Sequence, residues 1–375
     1  MMLLLAITLS CIFAVDASSK TVEAVYPKDV GNMFLRGSGC GLNWDSGVRM
    51  QKDSIVGGYK WSGNVNCDAS EKGPLEVKVL INDQHWMLGA NAFIDLSSNK
   101  TEAAEIFPWF YTYSGSLTII KDVYSSELKN TRDVIYYTPP SYNENTLKTY
   151  KNVLVMHDGQ NLFNPLTSAF GTAWMCQDTM DDEIIGGKSD EVIIVGAYNT
   201  ADRMDEYTYV YDPSEGAGGK GDLYLDWIES TLIPVTQKNY RVEINRETLG
   251  ILGSSLGGLI SCYAGWTRST VYGKVGCMSS SFWWDDNDFQ KNILVNNSPS
   301  KDVSLAHTYM DSGTGEPLST TVYTTQIHDY MVSAEGFVDN TSVFQYVDEG
   351  GQHSESSWGP RFYIPIQDLY PVSLI

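Results

Sequence analysis

Basic residues are scarce in this chain: 25 Lys and Arg stand against 46 Asp and Glu, a formal net charge of -21 over 375 residues. A surface so biased repels nucleic acid phosphates and anionic membranes, so neither is an expected partner, and a neutral small molecule is easier to accommodate. Histidine is scarcer still, at five residues. His157 and Asp158 have no further ligands at a spacing that would complete a metal site, so neither a metal nor a cofactor is expected. Internal repeats and low-complexity tracts are absent. With 42% hydrophobic and 19% charged residues, the chain is long enough to bury two cores and is not a disordered protein.

Long apolar runs are also missing, except at the start. Residues 1–17 are apolar and end in Val15-Asp16-Ala17, whose small residues suit signal-peptidase cleavage before Ser18, although the stretch lacks a basic n-region. The run is short for a bilayer span of about 20 residues, so a removed signal peptide and a secreted or secretory-lumen protein are expected. Cysteine is limited to six residues. Once Cys11 leaves with the signal, pairing Cys40 with Cys67 and Cys262 with Cys277 leaves Cys176 free. Sequons at Asn99, Asn296 and Asn340 are candidate glycosylation sites.

The chain changes texture near residue 133. Residues 18–132 carry short β-like runs, at 32–36, 75–82 and 116–122, separated by turn residues and without helical periodicity, which reads as a β-sandwich. Residues 133–375 alternate strands with helices, which implies βαβ units and a doubly wound, mostly parallel sheet. Strands are expected at 134–138, 152–156, 191–197, 249–252, 273–278, 306–311 and 343–347, with helices at 223–236, 259–266 and 320–332.

One strand of this second domain ends in Gly253-Ser254-Ser255-Leu256-Gly257. A buried strand that turns sharply into a helix through G-x-S-x-G holds its central serine in a strained elbow at the carboxyl edge of a sheet, which makes Ser255 a candidate nucleophile. Any Cβ at Gly253 or Gly257 would crowd that elbow. A serine nucleophile needs a base, a carboxylate to orient the base, and donors aimed at the developing oxyanion. His353 stands in a glycine-rich loop after the last strand, on the same sheet edge as the elbow. Asp311 and Glu316 both lie at the end of the preceding strand, and position alone does not choose between them. The loop His157-Asp158-Gly159-Gln160 follows an early strand and can turn the Gln160 amide toward a substrate, with the Leu256 amide as second donor. His157 and Asp158 are assigned to shaping that loop, and His307 and His328 to structure.

These motifs coincide with a known pattern. His157-Asp158-Gly159-Gln160-Asn161-Leu162-Phe163, Gly253-Ser254-Ser255-Leu256-Gly257-Gly258, Ser279-Ser280-Ser281-Phe282-Trp283-Trp284, Gly313-Thr314-Gly315-Glu316 and Gly351-Gln352-His353-Ser354-Glu355 together resemble the putative esterase family of α/β-hydrolases. That family includes enterochelin esterases, esterase D and feruloyl esterase domains. The resemblance implies a serine carboxylic ester hydrolase with Ser255 as nucleophile, His353 as base and Glu316 as orienting acid, where the feruloyl esterase pattern has Asp. Arg203, Glu206 and Tyr207 resemble the family's loop. Arg203 and Tyr207, with Trp283 and Trp284, are candidate pocket residues. In the first domain, Phe34 to Ser38, Gly41 to Trp44, Trp61 and Trp86 to Gly89 resemble starch-binding sandwich modules, which makes sugar binding an expectation. Carbohydrate-linked or siderophore-type esters are thus candidate substrates. Two alternatives are acyl transfer to a sugar hydroxyl, as in the related mycolyltransferases, and a non-catalytic sugar-binding protein on a hydrolase scaffold.

Overall fold

The computed structural model describes residues 18–68, 71, 73–97, 103–296 and 306–375. The expected signal peptide and the Asn99 sequon lie outside the described residues. The chain divides into two units, 1–110 with 374–375, and 111–373.

In the smaller unit two sheets face one core. One orders Gln51–Ile55, Gly58–Cys67, Ser18–Tyr26 and Ala104–Ile106; the other is built around Met33–Ser38 and Pro74–Ile81. Alternation along Met33–Ser38 sends Met33, Leu35 and Gly37 inward, as expected for a strand with one buried face. Val22, Ala24 and Trp61 from the first sheet pack with Leu35, Val77 and Val79 from the second, and Cys40 is disulfide-bonded to Cys67.

The larger unit holds an eight-stranded sheet: β1 (Ser116–Ser125), β2 (Asn130–Thr138), β3 (Val153–Met156), β4 (Ile193–Ala197), β5 (Leu249–Ser254), β6 (Lys274–Met278), β7 (His307–Gly313) and β8 (Val343–Asp348). Their spatial order is β1-β2-β4-β3-β5-β6-β7-β8. β1 and β2 form an antiparallel hairpin and β2 pairs antiparallel with β4, while every later pairing is parallel. This is the α/β-hydrolase sheet expected from sequence. β3 to β5 are buried at every position, as parallel strands covered on both faces must be. Crossovers of one hand that step first toward β4 and then back toward β5 put their connections on opposite faces. The chain therefore reverses direction between β3 and β5, and the crevice beyond their carboxyl ends is where an open α/β sheet binds its ligands.

Two sequence expectations need correction here. Residues 116–132 belong to the hairpin of the larger sheet, not to the sandwich, because strand alternation identifies a strand without saying which sheet it joins. The helix expected over 223–236 is Gly221–Trp227 and Ile233–Asn239 joined by a π turn, Ile228–Leu232. Pro234 has no N–H for the Ser230 carbonyl, and a wider turn is one way a helix passes such a residue. Among the described residues no helix is long and apolar enough to cross a membrane.

Candidate active site

β5 delivers Ser255 to the sheet edge with φ 60° and ψ -125°, a conformation that costs a non-glycine residue roughly 1–3 kcal/mol and persists only where its surroundings enforce it. Two backbone bonds do so. Ser255 N–H donates to the Met278 carbonyl at 3.0 Å, and the Ser255 carbonyl accepts from Ser281 N–H at 3.0 Å. The glycines supply room: a Cβ at Gly253 would lie 2.7 Å from His157 Cδ2, and one at Gly258 would lie 2.8 Å from the Met278 carbonyl oxygen. The helix Leu256–Thr267 starts at the next residue, and Cys262 within it is disulfide-bonded to Cys277 of β6. Cys176 is free and buried, which completes the cysteine pattern expected from sequence.

The loop after β8 brings His353 to the elbow. Its Nε2 lies 3.0 Å from Ser255 Oγ and its Nδ1 3.0 Å from Glu316 Oε2. Trp358 meets the imidazole edge-on at 4.9 Å. The Glu316 side chain is fully buried, and its Oε1 accepts from Gly313 N–H at 3.0 Å and from the Ser279 hydroxyl. Burial pushes the Glu316 carboxyl up, but the hydrogen bonds from His353 and Ser279, the His353 charge and the Gly313 amide outweigh it and hold the group below its ordinary range.

The second acid is engaged elsewhere. Asp311 takes a two-pronged ion pair from Arg361, Nε to Oδ2 at 3.0 Å and Nη2 to Oδ1 at 2.9 Å, and further bonds from Ser279 N–H and the Tyr309 hydroxyl. Arg361 also reaches Asp348 and the Ser279 hydroxyl. Ser279 thus joins the Asp311–Arg361 pair to Glu316. Sequence reasoning missed Arg361 and Trp358, and gave Ser279 only as part of a motif: Asp311 and Arg361 are 50 residues apart, and no local pattern links them. Ser281, quoted only as part of a motif, places its Oγ 3.3 Å from Ser255 Oγ.

On the other side of Ser255, Asp158 adopts a left-handed conformation and a single 3-10 turn, Gly159–Asn161, follows. The first N–H groups of such a turn and of the helix opened by Leu256 lack intrahelical acceptors, which leaves the Gln160 and Leu256 amides available to a ligand. Gln160 itself is fixed by Thr167, whose hydroxyl donates to its carbonyl at 2.7 Å, and by Asn199 N–H, which donates to its Oε1 at 3.1 Å. Asn161 Nδ2 donates to Glu355 Oε1 at 3.1 Å, tying this turn to the helix that follows His353.

The candidate pocket residues separate. Arg203 is partly exposed and grips Asp158, Nε to Oδ1 at 2.7 Å and Nη2 to Oδ2 at 2.8 Å. Burial pushes the Asp158 carboxyl up, but Arg203 and a bond from Asn199 outweigh it and hold it low. Tyr207 is fully buried, its hydroxyl accepting from Asp158 N–H at 3.1 Å. It does not line a pocket. Trp284 is also buried and donates to the Val210 carbonyl, whereas Trp283 is 39% exposed. Of the four, Arg203 and Trp283 remain open to a ligand. His307 pairs with Asp368, and His328 lies between Asp329 and Asp339, away from the elbow as expected. Among the described residues the one group of three with metal-ligand spacing is Cys40, Cys67 and Glu71, and both thiols are spent in a disulfide.

The family model described as "Putative esterase" matches residues 125–367. The uncharacterized protein YbbA of Bacillus subtilis is 29% identical over 172 residues, 44% of this chain and 64% of the relative, so the chain covers under two thirds of that protein. Among solved structures, the enterobactin esterase FES of Shigella flexneri, determined in the presence of enterobactin, is similar over 94% of this chain and 93% of its own, at 14% identity and TM-score 0.53. An IroE-like serine hydrolase from Shewanella oneidensis is similar over 68% of this chain and 80% of its own, at 21% identity and TM-score 0.51. At such identities the likeness is one of fold.

Proposed function

The chain belongs to the putative esterase family of α/β-hydrolases, and on that premise we propose that it is a secreted serine carboxylic ester hydrolase working through an acyl-enzyme on Ser255. The observation that carries this reading is the unbroken line from Ser255 Oγ through His353 to Glu316, with both links at 3.0 Å. His353 Nε2 takes the Ser255 proton as Oγ attacks the ester carbonyl, then passes it to the departing alcohol. The same nitrogen next deprotonates water, which attacks the acyl-enzyme, and returns that proton to Ser255 Oγ as the acid is released. Glu316 fixes the imidazole with Nδ1–H turned toward it, and its charge stabilises the imidazolium formed at each proton transfer. The Gln160 and Leu256 amides receive the oxyanion, each donor worth on the order of 3 kcal/mol in comparable sites.

Siderophore-type or carbohydrate-linked esters are the proposed substrates. The named acts of the structural neighbours support the first. The second is supported by the smaller unit, where Trp44 and the 38% exposed Trp86 stand 6.1 Å apart, a platform on which a sugar ring could stack, while Trp61 is core. Two disulfides support an oxidising compartment, and the exposed Asn296 and Asn340 are open to glycosylation.

Ser255→Ala is expected to lower turnover of p-nitrophenyl acetate by at least about 10⁴-fold while the far-ultraviolet circular dichroism spectrum is unchanged. Undiminished hydrolysis by the folded variant would end the proposal. Product analysis with an added sugar acceptor separates hydrolysis from acyl transfer: an acylated sugar in place of the free acid would favour the transferase.

A further inference from the structure

Beneath the elbow runs a buried line of side chains that the chemistry above does not use. Tyr207 and Tyr224 are fully buried, as is Ser261, and His157 is 2% exposed. Counting protons gives the direction of the hydrogen bonds from Gly257 to Tyr224. Ser261 Oγ donates to the Gly257 carbonyl at 2.8 Å; a hydroxyl has one proton, so toward His157 Nε2, at 3.1 Å, it can only accept. Nε2 therefore carries hydrogen. Burial lowers the His157 pKa to about 3, the ring is neutral, and Nδ1 is bare. It accepts the Tyr224 hydroxyl at 2.9 Å. Tyr207 packs against both rings, its centroid 5.0 Å from that of Tyr224 and 5.2 Å from that of His157, and its hydroxyl accepts Asp158 N–H at 3.1 Å.

Both ends of this line are backbone groups, the Asp158 amide and the Gly257 carbonyl. Neither gives up or takes a proton at working pH, so the line does not serve as a proton relay. Its ends instead bracket the two proposed oxyanion donors: Asp158 is two residues before Gln160, and Gly257 is one residue after Leu256. The His157 ring also fills the space left by the elbow glycines, since a Cβ at Gly253 would meet its Cδ2 at 2.7 Å and one at Gly257 would meet its Cβ at 3.2 Å.

We propose that Tyr207, Tyr224, His157 and Ser261 form a packed and hydrogen-bonded strut that sets the separation of the Gln160 and Leu256 amides, and that they are positioning residues for oxyanion stabilisation. This rests on the serine esterase reading above. Oxyanion donors act at 2.7–3.1 Å, and a misplacement of about 1 Å costs on the order of 100-fold in rate. The strut acts on the transition state because the ground-state carbonyl makes weaker demands on the same donors.

Tyr224→Phe keeps the ring and removes the central link; Ser261→Ala frees the Gly257 end and is the milder change. In both, kcat for p-nitrophenyl acetate is expected to fall by about 10- to 100-fold with KM within about threefold. Affinity for a trifluoromethyl ketone, whose serine adduct carries an anionic oxygen, is expected to fall by the same ratio. The pH at which activity declines on the acid side should not move, because the base is untouched. All rates are taken per Ser255 site titrated with a fluorophosphonate. Per-site kcat and ketone affinity unchanged in folded Ser261→Ala, whether or not Tyr224→Phe folds, would overturn the strut. Ser255→Ala separates the two ideas: an active Ser255→Ala enzyme brings down the esterase reading, and the strut with it. A dead Ser255→Ala enzyme beside a fully active Ser261→Ala enzyme removes the strut alone.

Discussion

The carboxylate behind His353 is a choice made by one arginine. Asp311 and Glu316 sit at the end of the same strand, and position in the chain leaves them equivalent; the family resemblance favours Glu316. Geometry supplies the reason: Arg361 neutralises Asp311 with two hydrogen bonds, and Glu316, fully buried, is left to face the imidazole. The proposed nucleophile, base and oxyanion loop could be picked out because each sits in a short contiguous motif. Arg361 and the Tyr224–Ser261 links were not, because they join residues distant in the chain whose types are ordinary in a core. Glu316→Gln is expected to lower kcat by about 10³–10⁴-fold, since a neutral amide can neither stabilise the imidazolium nor fix its tautomer. The same substitution has a pH signature. A carboxyl held below its ordinary range stabilises the fold above its unfolded pKa, and that stabilisation is lost as pH falls through the folded value. The melting-temperature gap between wild type and Glu316→Gln should therefore be at its full size above the ordinary glutamate pKa of 4.5 and narrow as pH falls below it. A gap that widens on acidification would contradict the assignment.

Among the elements, the helix Leu256–Thr267 carries the most constraint. Its first residue carries a proposed oxyanion donor, Gly257 anchors the proposed strut, and Cys262 fastens it to β6, the strand whose Met278 carbonyl receives Ser255 N–H. The disulfide closes a separation of 15 residues, worth about 3 kcal/mol in the loop-entropy account. Replacing Cys262 and Cys277 together by Ala should lower unfolding free energy by about 2–3 kcal/mol in urea titration, with the folded fraction retaining activity because the backbone bonds of Ser255 remain. A loss of activity without loss of stability would mean that the bridge sets the elbow itself. The central strands β3 to β5 and this helix were readable from sequence because nearly every position in them is buried and most are apolar. Strand β1 and the first residues of β2 were not assigned to this sheet, since Leu117 and Ile119 on β1 are exposed and its alternation matches that of a sandwich strand.

For the molecule as a whole, the sequence put the boundary at 132 and the structure puts it between 110 and 111, with 374–375 returning to the smaller unit. Ile375 N–H donates to the Phe93 carbonyl and its own carbonyl accepts from Asp95 N–H, a pairing of residues about three quarters of the chain apart that no sequence pattern announces. The charge balance was legible at once, and it has a kinetic consequence. The net charge of -21 is echoed near the elbow, where Asp311, Glu316 and Asp348 share one arginine and Asp158 is matched by Arg203. An anionic ester such as mono-p-nitrophenyl succinate therefore approaches against a repulsive field, whereas p-nitrophenyl acetate does not. The field reaches about 30 Å at 0.01 M salt and about 10 Å at 0.1 M. Raising sodium chloride between those concentrations should increase kcat/KM for the succinate ester several-fold and leave the acetate within about 1.5-fold, the difference residing in encounter rather than chemistry. A succinate rate that falls with salt would instead mean that the positive edge of Arg203, which is 28% exposed, dominates the local field and that the site selects anionic esters against the charge of the whole protein.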